Sequence, residues 1–274
     1  MLLQRVVTAL VLIPLVVIGV LQLSTMVLGL ILALVVLLGG YEWTRLAGIA
    51  PPVGKLLYLI LLTACMAGAA FAVRSYPTLI LPVAVLAALF WCLVSVSLLL
   101  YRPVGVSARG TIEKSALGLL VLVPAWLSLL LVHGVYQDGP YLVLFLLVLI
   151  WVADSCAYFA GRRWGRIKLA PRISPGKTWE GVYGALAGAA LCGAVLFWWR
   201  PESGSMLMLI IFSVIIALVS IVGDLFESLL KRQSGLKDSG TLLPGHGGVL
   251  DRIDSLCAAS PLFLCGLQLL ELNR

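Results

Sequence analysis

One polar stretch near the end of the chain carries most of the residues that could do chemistry. Residues 228–254 combine Lys, Arg and Asp side chains with His246, and uncharged apolar runs lie on either side at 206–223 and 255–270. Mg²⁺ prefers one or two carboxylates together with phosphate oxygens and water. Carboxylates beside basic residues therefore indicate a site for a divalent cation and a phosphate-bearing substrate.

The acidic residues around this stretch occur in pairs with helical spacing. Asp224 and Glu227 follow one apolar run, and Asp251 and Asp254 open the next. Residues three apart share a face of a helix, and acids near membrane depth are costly and usually line a polar cavity. We therefore predict Asp224 and Asp251 as direct Mg²⁺ ligands, with the other acid of each pair one turn away.

Plainer interpretations of these acids stay open at this point. Asp251 could cap the last helix, because Asp is a preferred N-cap residue. Asp224 could form a structural ion pair with Lys231 or Arg232. The clustering of acids with bases, and with the glycine-rich residues 245–248 whose backbone can approach phosphate closely, favours a site.

The composition places this site on a membrane protein. Of the 274 residues, 62% are apolar and 11% are charged, and the mean hydropathy is +1.11. Soluble domains are about 45–50% apolar and about 25% charged. A bilayer core needs about 20 helical residues per crossing, so we predict an all-α polytopic membrane protein with about nine transmembrane helices. The predicted spans are two within 6–41, separated by a turn at 22–25, and then 56–73, 77–101, 115–137, 139–153, 181–199, 206–223 and 255–270.

The basic residues predict the orientation of these spans. With the N-terminus in the cytoplasm, all of the 19 Lys and Arg residues except Arg74, Arg200 and Arg274 fall on the cytoplasmic side. This bias follows the positive-inside rule and puts the C-terminus on the far side. The loops 161–180 and 228–254 then both face the cytoplasm. The net charge of +7 is explained by topology and by attraction to anionic lipid headgroups, without a role in nucleic-acid binding.

The order of polar residues in 228–254 resembles the signature of the phosphatidate cytidylyltransferases, also called CDP-diacylglycerol synthases. The pattern S-x-x-K-R-x4-K-D-x-G-x3-P-x-H-G-G-x2-D-R-x-D spans these residues without a gap. The stretches 154–159 and 173–181 also resemble the family. The likeness is clearest over 141–270, so we predict 1–140 as a scaffold of about five spans and 141–274 as the catalytic region.

The resemblance implies a Mg²⁺-dependent enzyme that makes CDP-diacylglycerol and pyrophosphate from CTP and phosphatidate. It further implies a homodimer in the bacterial inner membrane, with the active site facing the cytoplasm. The predicted catalytic residues are Asp224, Asp251, Lys231, Arg232, Lys237, His246 and Arg252. The residues predicted to contact substrate or cofactor are Asp154, Ser174, Lys177 and Asp254. For Ser174 and Lys177, the alternative to contact with CTP phosphates is a basic patch for anionic lipid.

Other functional classes fit the sequence less well. Gly176-Lys177-Thr178 is not part of a P-loop, because Pro171 stands where that motif needs glycine. A transporter would place charges or broken helices in mid-membrane, whereas the acids here lie at the ends of spans. His133 lies well inside an apolar run, and we expect it to be a hydrogen-bonded packing residue rather than a proton relay.

Overall fold

A computed structural model of the chain describes residues 2–100, 110–240, 242 and 247–270. The predicted site residue His246 and the topology residue Arg274 lie outside the described residues. The described helices are α1 Leu2–Gln22, α2 Thr25–Ala47, α3 Pro52–Ser75, α4 Ile80–Leu99, α5 Thr111–Val135, α6 Gly139–Trp164, α7 Trp179–Trp199, α8 Met206–Gln233 and α9 Leu250–Leu269. Two short strands, β1 Lys168–Ala170 and β2 Ser174–Thr178, lie between α6 and α7.

The predicted turn between the first two helices is confirmed. Ser24 is the N-cap of α2, and its hydroxyl accepts a hydrogen bond from the Val27 N–H. Gly48 ends the same helix with a φ of 76°, a left-handed conformation that glycine adopts without steric cost. Pro52 occupies the first position of α3, where its missing N–H costs nothing.

Helices α6 and α8 continue well beyond the uncharged runs that predicted them. They end at Trp164 and Gln233, so residues 228–233 are helical rather than part of a loop, which corrects the predicted loop boundary. A charged residue marks the edge of the apolar layer but does not stop a helix, since Glu, Lys and Arg are good helix formers. Helix α8 stops only before Gly235, which has a φ of 68°.

The all-α prediction omitted a small β-hairpin, residues 168–178. Strands β1 and β2 pair antiparallel, with Lys168 opposite Thr178 and Ala170 opposite Ser174. Thr178 is also the N-cap of α7, where its hydroxyl accepts a hydrogen bond of 3.2 Å from the Gly181 N–H. The hairpin therefore leads directly into α7, which fixes the position of the residues on β2.

Small residues allow the last four helices to pack closely. Side chains at Gly184 or Gly188 of α7 would collide with Cys156 on α6, and one at Gly223 of α8 would collide with Ala258 on α9. In a bilayer, close van der Waals contact through small residues is one of the interactions that associate helices. This packing brings the acid-bearing ends of α6, α8 and α9 together.

The helices have the dimensions that a membrane protein needs. Among the described residues, seven helices are long and apolar enough to cross a membrane, namely α2 to α8. Helix α9 packs against α2, α4, α5, α6 and α8, and Phe263 in its middle is fully buried. The all-α polytopic class is confirmed apart from the hairpin, while nine crossings and the orientation stay predictions.

The expectation for His133 is also confirmed. The two ring nitrogens of this buried residue lie 2.9 Å from the Thr25 hydroxyl and 3.0 Å from the Val20 carbonyl oxygen. Both partners belong to neighbouring helices, so the ring joins α1 and α2 to α5.

Candidate active site

The predicted site residues gather at one end of the helix bundle. The chain runs back and forth, so the C-terminal ends of α2, α6 and α8 meet the N-terminal ends of α5, α7 and α9. Contacts between them confirm this arrangement: Lys114 at the start of α5 donates a hydrogen bond of 2.8 Å to Ser234 just after α8. Arg74 in the last turn of α3 and Arg200 at the C-cap of α7 lie at the other end of the bundle.

A cavity of about 480 Å³ opens between α6, the hairpin, α7 and α8. Four predicted residues line it: Asp154 from α6, Ser174 and Lys177 from β2, and Asp224 from α8. The sequence prediction that these separate stretches form one site is therefore consistent with the fold. The other polar and glycine residues of the lining are Tyr158, Gly161, Arg162, Gly176, Thr178 and Gly181.

Opposite charges meet at the wall of this cavity. The Lys177 Nζ atom lies 2.7 Å from Asp224 Oδ2, with the two side chains 24% and 33% exposed. The alternative that Asp224 pairs with Lys231 or Arg232 is therefore wrong. Asp154 is close enough to Asp224 for their carboxylates to repel, and Lys177 attracts both. The lining of the cavity thus holds two acids, Asp154 and Asp224, and two bases, Lys177 and Arg162.

A second charged cluster lies beside the cavity, where α8 meets α9. The Lys231 Nζ atom is 2.6 Å from Asp251 Oδ1 and 3.1 Å from Glu227 Oε1. Both Lys231 and Glu227 are buried, so the lysine offsets two acids in a region that excludes most water. Asp254 is close enough to Glu227 and to Asp224 for repulsion, which connects the two clusters electrostatically.

Asp251 holds the chain that precedes α9. Its Oδ2 atom accepts hydrogen bonds from the backbone N–H groups of Ser239 and Gly248, at 3.1 and 2.8 Å. The N-cap position of α9 is Val249, so Asp251 does not act as the N-cap residue. The carboxylate instead joins Lys231 to the segment between the two helices.

The remaining predicted residues lie around these clusters. Arg232 is exposed, and its Nε–H donates to the Ile173 carbonyl oxygen at 3.3 Å, which ties α8 to the hairpin. Arg252 is exposed and close enough to attract Asp154. Lys237 is exposed between α8 and α9.

Glu42, which the sequence analysis did not single out, contributes to this region from α2. The side chain is 1% exposed and accepts hydrogen bonds from the Ser239 hydroxyl and from the N–H groups of Val249 and Leu250. The sequence does mark this residue, because Glu42 is the first charged residue after the long uncharged stretch 6–41. The prediction of 1–140 as a scaffold gives Glu42 no role in the site.

The carboxylates of the cavity fit the chemistry of Mg²⁺. Among the described residues, no group of three or more His, Cys, Asp or Glu side chains is arranged to hold a metal by itself. Mg²⁺ commonly binds one or two carboxylates and completes its shell with water and phosphate. Asp154 and Asp224 line an open cavity and repel each other, and a cation would relieve that repulsion. The predicted ligand Asp251 lies in the neighbouring cluster and stays a prediction.

Comparison with known proteins identifies the family of the chain. The profile of the Cytidylyltransferase family matches residues 3–270. The chain is similar to the phosphatidate cytidylyltransferase of Pseudomonas aeruginosa, at 44% identity over 264 residues that cover 96% of each chain. It is also similar to that of Haemophilus influenzae, at 38% identity over 96% of this chain and 97% of the relative. The relative from Thermotoga maritima is 39% identical over 56% of this chain.

The described residues form a bundle of helices, seven of them long and apolar enough to cross a membrane, with a charged cavity at one end. The chain belongs to the Cytidylyltransferase family, which its match over nearly the whole length shows. The family resemblance predicted from residues 228–254 is thereby confirmed.

Proposed function

We propose that this protein is a membrane enzyme that transfers the cytidylyl group of CTP to phosphatidate. The products would be CDP-diacylglycerol and pyrophosphate. The observation that carries the proposal is the cavity in which Lys177 and Asp224 meet Asp154. Polyanionic substrates and a cation can meet there, in a chain 44% identical to a phosphatidate cytidylyltransferase.

The reaction is a displacement at phosphorus. A phosphate oxygen of phosphatidate forms a bond to the α-phosphorus of CTP, and the bond from that phosphorus to the oxygen bridging to the β-phosphate breaks. The electron pair leaves with pyrophosphate. Such transfers depend on positioning and on neutralising charge more than on covalent chemistry. Lys177 and Ser174 on β2 are positioned to bind phosphate oxygens, while Asp224 orients Lys177 through their ion pair.

In this proposal the carboxylate of Asp224 would hold Mg²⁺, with Asp154 beside it and Asp251 as the predicted second ligand. When bound, Mg²⁺ offsets negative charge on the triphosphate and on the leaving pyrophosphate. Asp154 and Asp224 offer carboxylates for the cation, while Lys177 and Arg162 offer positive charge for the phosphates.

We further propose nine crossings of the bacterial inner membrane, with the N-terminus and the active site on the cytoplasmic side. Exposed tryptophans support a bilayer between the two ends of the bundle, because Trp favours the membrane–water interface. Trp164 and Trp179 lie at the end that holds the site, and Trp198 lies at the other end. The site end would then meet both water-borne CTP and the lipid headgroup.

Labelling of single cysteines should confirm this orientation. In a background without the native cysteines, Lys168→Cys and Asp238→Cys should react with a membrane-impermeant reagent from the cytoplasmic side, since both positions are exposed. Glu202→Cys, at the opposite end of the bundle, should react from the other side. Labelling of positions 168 and 238 from opposite sides would contradict the proposed topology.

Removing the charge of Lys177 should weaken the use of CTP specifically. Lys177→Ala is expected to lower kcat/KM for CTP by about 100-fold, because a charge-assisted contact with phosphate is lost in a partly desolvated cavity. Arg166→Ala is the matched control, since Arg166 is exposed beside the hairpin and does not line the cavity. Steady-state kinetics with CTP varied would measure both, and equal small losses would support a basic patch for anionic lipid instead.

The proposed function is tested by measuring pyrophosphate release from CTP by the purified protein in detergent micelles. Release should require phosphatidate and should stop when diacylglycerol replaces it, because the attacking phosphate is then absent. A transporter would release no pyrophosphate under either condition.

A further inference from the structure

The buried carboxylate of Glu42 connects the N-terminal helices to the segment that carries Asp251. We propose that Glu42 is a positioning residue for the reaction, and that it acts by clamping both ends of residues 239–250. The inference rests on the proposed function for its kinetic consequences, but the clamp itself can be tested without turnover.

The contacts of Glu42 define the clamp. Its Oε2 atom accepts hydrogen bonds from the Ser239 hydroxyl at 2.9 Å and from the Leu250 N–H at 2.8 Å. Its Oε1 atom accepts one from the Val249 N–H at 3.0 Å. Ser239 and Val249 stand at opposite ends of the segment, so one side chain from α2 fixes the separation of those ends.

A charged carboxylate suits this position better than a neutral group. The N–H groups of Val249 and Leu250 begin α9, and the N-terminus of a helix favours negative charge. Hydrogen bonds to an ionised acceptor are also stronger than neutral ones. The backbone at Gly240 and Gly248 lies so close to the Glu42 carboxylate that a side chain at either position would collide with it.

Glu42 and Asp251 bind the same or adjacent residues at both ends of the segment. Ser239 donates its hydroxyl hydrogen to Glu42 and its N–H to Asp251. Gly248 donates its N–H to Asp251, and the next residue, Val249, donates to Glu42. Asp251 in turn binds Lys231 at 2.6 Å. A shift of the Glu42 contacts therefore moves Asp251, although Glu42 belongs to a helix predicted as scaffold.

A second contact from the same helix supports the clamp. Arg45, three residues after Glu42, donates a hydrogen bond of 3.1 Å to the Ser239 carbonyl oxygen. The hydroxyl, N–H and carbonyl of Ser239 are thus bound by Glu42, Asp251 and Arg45 respectively. Because all three of its polar groups are hydrogen-bonded, Ser239 is held in one position at the start of the segment.

The kinetic test compares Glu42→Gln with the milder Ser239→Ala. A glutamine amide must turn its NH₂ group toward at least one of the three donors, so at least one contact is lost and two buried donors then face each other. Small displacements remote from the reacting atoms can cost about 100-fold in rate, and we expect kcat of Glu42→Gln to fall by that factor. Ser239→Ala removes only one hydrogen bond and should lower kcat by about 10-fold.

Thr44→Val is the matched control. Thr44 is fully buried on α2, and its hydroxyl donates to the Tyr41 carbonyl oxygen within the same helix, so kcat should stay within about twofold of the parent. Because Glu42 acts through Asp251, the loss in Glu42→Gln/Asp251→Asn should be smaller than the product of the two single losses. Losses that multiply would contradict action through Asp251.

Hydrogen–deuterium exchange tests the clamp without reference to activity. In Glu42→Gln, peptides from 237–252 should exchange faster, while peptides from α2 and α5 should keep the parent rate. Unchanged exchange in 237–252 would overturn the clamp, and faster exchange throughout the chain would reduce Glu42 to a residue of general stability. If the parent protein does not turn over CTP and phosphatidate, the proposed function fails, and the exchange pattern still decides the clamp.

Discussion

Replacing Asp224 with asparagine is expected to remove nearly all turnover of CTP and phosphatidate while the fold survives. Asp224 lines the cavity, lies 2.7 Å from Lys177 and accepts a hydrogen bond from the Ser228 hydroxyl. Asparagine keeps the shape and one acceptor but removes the charge that would hold Mg²⁺. Loss of one preorganised charge in an active site costs about 1000-fold in kcat, and the concentration of Mg²⁺ needed for half-maximal rate should rise.

The stability of Asp224→Asn should change little. The ion pair with Lys177 is partly exposed, and such pairs contribute about 1 kcal/mol or less. A protein of this size would then show a Tm lower by no more than about 4 °C. Glu113→Gln is the matched control, since Glu113 is an exposed acid at the same end of the bundle. Normal turnover and Mg²⁺ dependence in folded Asp224→Asn would leave Asp224 as an ion-pair partner of Lys177 only.

Asp251→Asn is expected to cost both activity and stability. Its carboxylate is 8% exposed and binds Lys231 on one oxygen and two backbone N–H groups on the other. An asparagine must turn its amide nitrogen toward one of these donors. Breaking a buried ion pair costs about 3–5 kcal/mol, and the low end applies because Glu227 also contacts Lys231. We expect a Tm lower by about 10 °C and kcat lower by about 100-fold.

A Mg²⁺ titration separates the two roles assigned to Asp251. If Asp251 is a metal ligand, its replacement should raise the Mg²⁺ concentration needed for half-maximal rate as well as lower kcat. Asp138→Asn is the control, because Asp138 pairs with Arg200 at the other end of the bundle at 3.8 Å. An unchanged Mg²⁺ requirement in folded Asp251→Asn would limit this residue to anchoring the segment before α9, and near-normal turnover would remove it from the site.

Much of the fold was predictable, because a long run of uncharged apolar residues is a reliable indication of a membrane-length helix. The stretch 6–41 is uncharged and contains a polar turn, which predicted α1 and α2 correctly. The ends of α6 and α8 were not predictable in this way, because helices continue through charged residues that remain compatible with helical geometry. The hairpin 168–178 was missed for a related reason, since it is too short and too polar to show strand alternation.

The sequence indicates which polar residues lie at this end of the bundle, but it indicates their pairing only in part. Spacing on one helix puts Asp224 near Glu227, but it does not predict that Lys231 pairs with Asp251. No local pattern indicates that Lys177 on β2 reaches Asp224, because that contact depends on how glycines let α6, α7 and α8 approach. Glu42 was missed because its partners follow it by about 200 positions in the chain.

Transfer of labelled phosphorus tests the central claim most directly. The purified protein would receive phosphatidate, Mg²⁺ and CTP labelled at either the α- or the γ-phosphorus, and the lipid phase would then be extracted. The account predicts that the α-label enters the lipid only when phosphatidate is present, while the γ-label stays in water-soluble pyrophosphate. Recovery of the α-label as free CMP, or of the γ-label in lipid, would contradict cytidylyl transfer to phosphatidate.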